Sequence, residues 1–236
     1  MTRTDGDYNI RYEETGERAA RSGTTSASAA SDVGGGRPRE ERRIAEATRR
    51  LTNALAETDA PADVLAEAAA TIESLNATLE SFPPVAHDDG TDMAERHRRT
   101  AFTGPASTVS PPMRFEIIDD RRVDAFVVFD RPFEGPPGRV HGGYVAAAFD
   151  VALARAQSLT GHMAMTVELD VRYLLGTPLF EELRLACRLE DIDGQRVRTS
   201  GVLFAGDRHC AEAVGVFHMG RKRGKPSRTT DRRAKG

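Results

Sequence analysis

Apolar positions fall into distinct regimes along the chain. Between residues 38 and 82 they recur at helical spacing: Ile44, Leu51 and Leu55, then Leu65, Ile72, Leu75, Leu79 and Phe82. The two groups are separated by TDAPAD, where Pro61 suits a first helical turn and Thr58 or Asp59 a cap. The pattern predicts two helices, 38–57 and 61–81, forming a helical hairpin over 38–82. Leu65, Ile72 and Leu79 stand seven apart, a narrow stripe of coiled-coil type. Such a hairpin packs on its own domain or on a partner subunit. A DNA-reading role is disfavoured, because the second helix carries Asp63, Glu67, Glu73 and Glu80 and no base.

From residue 113 to 220 the pattern changes to strands around one apolar helix. Strand signals run over Arg114–Ile118 and Val123–Phe129, with a DDRR turn between them. Tyr144–Leu159 is nearly all Ala, Val, Leu and Phe, so it reads as one buried helix. Four further strands follow, Met165–Tyr173, Leu183–Asp191, Arg196–Phe204 and Arg208–His218, parted by GTP, DG and GD turns. The order β-β-α-β-β-β-β predicts an α+β fold in which a curved antiparallel sheet wraps around that helix. The remaining segments lack such patterns. Residues 1–37 read as a disordered tail, because SGTTSASAASDVGGG has too little apolar surface to offset chain entropy. Residues 83–112 read as a Pro/Gly-rich linker, and 221–236 as a basic disordered tail with eight basic residues and one acidic.

Composition narrows the function class. The chain has 236 residues, and 33 Lys and Arg against 36 Asp and Glu give a net charge of −3. That excludes an overall polycation, and no nucleic-acid partner is expected. Two cysteines, Cys187 and Cys210, exclude a disulfide-rich scaffold. MTRTDGDYNI has no apolar h-region, and the apolar run Tyr144–Phe149 is far too short to span a bilayer. No signal peptide and no membrane partner are expected, which makes the expected location cytoplasmic.

The candidate chemistry is concentrated in EGPPGRVHGGYVAAAFD, Glu134–Asp150. Gly135, Pro136, Pro137 and Gly138 form a rigid approach loop, and with Val140 and Tyr144 they are the candidate substrate-binding residues. Gly142 and Gly143 open the apolar helix, where first-turn amides lack intrahelical acceptors and can serve a carbonyl oxygen or an oxyanion. Asp150 lies in mid-helix among Ala, Val, Phe and Leu, with no cation three or four residues away. A buried, unpaired carboxylate there is costly, so Asp150 is either a satisfied structural hydrogen-bonder or a functional group. Seven residues separate Gly143 from Asp150, about 10 Å along a helix axis. One carbonyl group cannot touch both, so a shared site implies two subunits. Metal, dinucleotide, phosphate-loop and G-x-S-x-G patterns are lacking, and no metal is expected.

The run GPPGxxHGG, followed by a helix with Asp nine residues after the His, resembles the hotdog-fold acyl-CoA thioesterases of the PaaI-like branch. MTVELDVRYLLGTPL and the strands after it resemble them too, and the resemblance covers Arg114–Arg221. It implies a hotdog fold and hydrolysis of acyl-CoA thioesters, with coenzyme A entering only as part of the substrate and no other cofactor. It further implies that Asp150 is general base or nucleophile, that the Gly142 and Gly143 amides polarise the carbonyl, that His141 orients, and that Thr166 helps hold the attacking water. Some relatives place Asn or Gln six residues before the His, where this chain has Gly135. A homodimer, or a dimer of dimers, is the expected assembly. The alternatives are a non-catalytic hotdog module that binds acyl-CoA, and a hotdog dehydratase or hydratase.

Overall fold

The computed structural model describes residues 36–84, 102, 104 and 106–219. Most of the tail expected over 1–37, most of the linker expected over 83–112 and the basic tail 221–236 lie outside the described residues. Helix α1 spans Arg37–Glu57 and helix α2 Ala62–Glu80, each with proline at its start. Along α1, Arg37 pairs with Glu41 at 2.9 Å and Arg50 with Glu46 at 3.8 Å, one turn apart.

The two helices differ in how they are held. In α1, Ala45 is buried, and the helix is fixed to the body by polar contacts. Asn53 Oδ1 accepts from the Arg131 amide at 3.2 Å, Glu57 lies 3.6 Å from the Arg131 guanidinium, and Arg49 donates to the Ser107 carbonyl. No residue of α2 is buried, and Leu65, Leu75 and Leu79 stay 41–51% exposed. Of the two helices in the expected hairpin, the first rests on the body, and the second buries no side chain against the described residues. The leucine stripe that suggested packing has no facing element among the described residues. The described end of the expected linker is also no loose connector. Ser107 and Ser110 are buried, their hydroxyls 3.2 Å apart.

The body is a six-stranded antiparallel sheet, ordered β1-β2-β4-β5-β6-β3. The strands are β1 Arg114–Ile117, β2 Arg122–Val128, β3 Ala164–Tyr173, β4 Glu182–Asp193, β5 Arg196–Ala205 and β6 Arg208–Met219. Alternation sets their facing: Val123, Ala125 and Val127 of β2, and Leu183, Leu185, Cys187 and Leu189 of β4, all point into the core. Gly194 and Gly206, with φ near +56° and +58°, close the two tight turns β4–β5 and β5–β6.

Helix α3, Gly142–Gln157, lies across this sheet. It begins two residues before the apolar run because His141 caps it: His141 Nδ1 accepts from the Gly143 amide at 3.0 Å. Its core stripe is Val145, Ala148, Phe149, Ala152, Leu153 and Ala156. Two strand glycines seat that stripe. A Cβ on Gly201 would lie 3.2 Å from Leu153 and 3.0 Å from Cys187 Sγ, and one on Gly215 would lie 3.2 Å from Leu153. The helix is therefore buried on one side, not all round. Asp150 sits off the core stripe and is only half-buried, which corrects the expectation of a buried carboxylate. The sheet wrapped around a single helix is the hotdog fold.

Leu153 is fully buried and fills the gap both glycines leave. Leu153→Ala is expected to cost about 2–5 kcal/mol, read as a lowered urea midpoint with an unchanged m-value.

Candidate active site

The approach loop is a folded device built by its own sequence. The Arg139 amide donates to the Pro136 carbonyl at 2.9 Å, and Gly138 has φ near +71°. Proline at the second turn position and glycine at the third are what a type II turn needs. The Gly135 amide donates to the Arg139 carbonyl at 2.9 Å, and the His141 amide to the Phe133 carbonyl at 2.8 Å. Pro136, Pro137 and Gly138 are exposed at the tip, whereas Val140 is buried in the core and anchors the loop through its amide, 2.9 Å from the Thr177 carbonyl. A Cβ on Gly135 would lie 2.9 Å from His141 Cα, so this position has no room for a side chain while His141 stays in place.

Glu134 braces the loop from below. Its Oε1 accepts from the Gly138 amide at 2.6 Å and from Arg131 Nη1 at 3.0 Å. The amide first, and the guanidinium second, hold this carboxyl below the ordinary glutamate range. Arg131 in turn reaches Asn53 and Glu57 of α1. One residue, through its amide to Asn53 and its guanidinium to Glu57 and Glu134, thus links the amino-terminal helix to the loop that leads into α3. The sequence reading gave no role to Glu134, Arg131 or Asn53. The local signal was Arg and Glu three apart immediately before GPPG.

At the start of α3 the two glycine amides are not equivalent. The Gly143 N–H is donated to His141 Nδ1, which places the imidazole proton on Nε2. The Gly142 N–H makes no hydrogen bond among the described residues, and it is the open donor at the helix terminus. Tyr173, not foreseen from sequence, donates its hydroxyl to the Gly142 carbonyl at 2.8 Å. A Cβ on Gly142 would touch the Tyr173 ring at 3.4 Å. A groove of about 460 Å³ opens here, lined by Pro132, Glu134, His141, Gly143, Tyr144 and Ala147.

Asp150 lies two turns further along the helix. Thr166 Oγ1 donates to Asp150 Oδ1 at 2.8 Å, and Oδ2 makes no hydrogen bond among the described residues. Thr166 sits where the β3–β6 register shifts, between Thr166 and Glu168. Such an irregularity re-aims side chains beside a site. The structure therefore brings Asp150 and Thr166 together, and separately His141, Gly142, Gly143 and Tyr144. It does not bring the two groups together within one chain.

The thioesterase superfamily model matches residues 137–212, the stretch that holds both groups. A crystal structure of a thioesterase superfamily protein superposes with a TM-score of 0.67 and 34% identity, covering 75% of this chain and 94% of that one. The chain belongs to the thioesterase superfamily. Among curated relatives, the human acyl-coenzyme A thioesterase THEM5 is 30% identical over 86 residues, 36% of this chain and 35% of that protein. The acyl-coenzyme A thioesterase THEM4 of Bos taurus is 28% identical over 105 residues, 44% of this chain and 43% of that one. This chain thus spans under half the length of these two relatives. No described helix is long and apolar enough to cross a membrane.

Because the folded Glu134 carboxyl is lowered, its bracing is present above the unfolded glutamate range and is lost as pH falls through the lowered folded value. Protection of the Gly138 amide from hydrogen exchange is expected to fall with that titration, with a midpoint below that of an ordinary glutamate. Glu134→Gln should leave the protection of this amide, relative to its intrinsic exchange rate, unchanged with pH over the same window. Gly135→Ala is expected to displace His141 and destabilise by about 1–3 kcal/mol, measured as a shift in the urea midpoint.

Proposed function

We propose that the chain hydrolyses acyl-coenzyme A thioesters to a free acid and coenzyme A. The observation that carries this reading is the Asp150–Thr166 pair. One carboxylate oxygen is fixed by a 2.8 Å hydrogen bond while the other is left open, on a helix face turned away from the core. The names of the two curated relatives support the substrate class. A water held at Asp150 gives its proton to the open oxygen as it attacks the thioester carbon. The carbonyl oxygen gains charge and receives the Gly142 N–H at the positive end of α3. Collapse of the tetrahedral intermediate breaks the C–S bond, and coenzyme A leaves as its thiolate. Direct attack by Asp150, followed by hydrolysis of the mixed anhydride, uses the same donor and carboxylate.

The carboxylate and the amide that serve one substrate come, in this proposal, from two copies of the chain. Eight residues of helix separate Gly142 from Asp150, about 12 Å along the axis. Strand β3, which carries Thr166, supports that pairing. It is one of the two outer strands of the sheet, ten residues long, and leaves Met165 77% and Val167 56% exposed. A long unpaired edge that exposes such residues calls for a partner strand. A second copy paired there gives the homodimer, which can itself associate as a dimer of dimers.

The test is thiol release from a panel of short, long and aromatic acyl-CoA thioesters. Asp150→Asn is expected to lower turnover by about 10²–10⁴-fold with the melting temperature preserved. Undiminished turnover in that variant would remove Asp150 from the mechanism. Binding of acyl-CoA without turnover in the wild type would establish a ligand-binding module instead.

A further inference from the structure

A second cavity, about 980 Å³, lies between α1 and the sheet. Asn53 and Ala54 of α1 form its outer wall, and Val127, Val128 and Phe133 much of its inner wall. Its volume is that of a small-molecule site, about 300–1,000 Å³. Pro132 and Tyr144 line both this cavity and the groove at the start of α3. The Tyr144 ring stands edge-on to Phe133 at 4.9 Å and lies 6.2 Å from the His141 ring. A thioester whose carbonyl lies at the Gly142 amide therefore has a space next to it, past Tyr144, whose inner wall of Phe126, Val127, Val128 and Phe133 is apolar. The charged residues that line the cavity are Glu46, Glu57, Asp130 and Glu182 against Arg49, Arg50 and Arg114, one more acidic than basic. No excess of positive charge is there to hold the phosphates of coenzyme A. Helix α1 is pinned in place through Asn53, Glu57 and Arg49.

We infer that this cavity is the acyl subsite, that its ligand is a hydrocarbon acyl group, and that α1 sets which acyl groups are accepted. The inference rests on the proposed thioester hydrolysis. It assigns a substrate-selecting role to a helix that lies outside the matched superfamily stretch, residues 137–212.

The experiment fills the cavity from opposite walls of the full-length protein. Ala54→Trp and Val128→Trp are each assayed against saturated acyl-CoA thioesters of increasing chain length. Ala69→Trp on the exposed α2 serves as the control for added bulk. Melting curves establish that each variant folds. Both cavity variants are expected to cut turnover of the longest chain that the wild type accepts by about tenfold or more relative to acetyl-CoA. Ala69→Trp should keep the wild-type profile. An unchanged chain-length profile in the folded cavity variants, with the wild type active, overturns the subsite and leaves the hydrolase reading standing. A wild type inactive on every chain length overturns the hydrolase reading, and the subsite with it.

Discussion

The structure depends on how closely α3 can approach the sheet. Ala148, Ala152 and Ala156 give the helix a thin face, and Gly201 and Gly215 give the strands matching hollows. Phe149 and Leu153 then fill what is left, and both are fully buried. A seat this tight has one depth and one rotation, because interiors packed at this density do not deform continuously. The rotation decides which residues face away from the core, and Gly143, Ala147 and Asp150 fall on that outer side. The chemistry proposed for Asp150 is thus a consequence of small residues elsewhere on the same helix.

The loop before α3 is fixed by different means. Little of it is buried, so polar geometry holds it in place of apolar burial. The type II turn at Pro137–Gly138, the two hydrogen bonds to Glu134 and the reach of Arg131 to α1 all act on one short stretch. Arg131, Glu134 and Asn53 are only partly buried, and each such contact contributes little alone. Their effect comes from converging on one backbone segment whose own φ and ψ are already limited by two prolines. Arg131 also has its guanidinium 5.2 Å from the Phe180 ring centroid, which ties the same point to the entry of β4.

Much of the body was legible because period and turn chemistry agree there. Strands with two-residue alternation and glycine at the tight turns leave few other foldings, and the six strands and one helix occur in the expected order. Thr166 entered the candidate site through the family resemblance, as a residue that helps hold water; its hydrogen bond to Asp150 was not legible, since sixteen residues and a chain reversal separate them. Three further features were not legible. The half-exposed setting of Asp150 depends on the rotation of α3, which the all-apolar run conceals. The exposed course of α2 was hidden by a leucine stripe that reads the same whether or not something faces it. The link from Asn53 through Arg131 to Glu134 joins residues 78 positions apart in its first step, beyond any local pattern.

The contact between position 135 and His141 has a further consequence for how this sequence can vary. Glycine at 135 and the present placement of His141 presuppose each other, because a single added carbon would overlap the histidine backbone at 2.9 Å. Substitutions at the two positions are therefore non-additive. A larger residue at 135 is harmful while His141 holds its cap and becomes neutral only after the loop has been rebuilt. The chain is held at glycine by the order in which changes would have to occur, as much as by what glycine does.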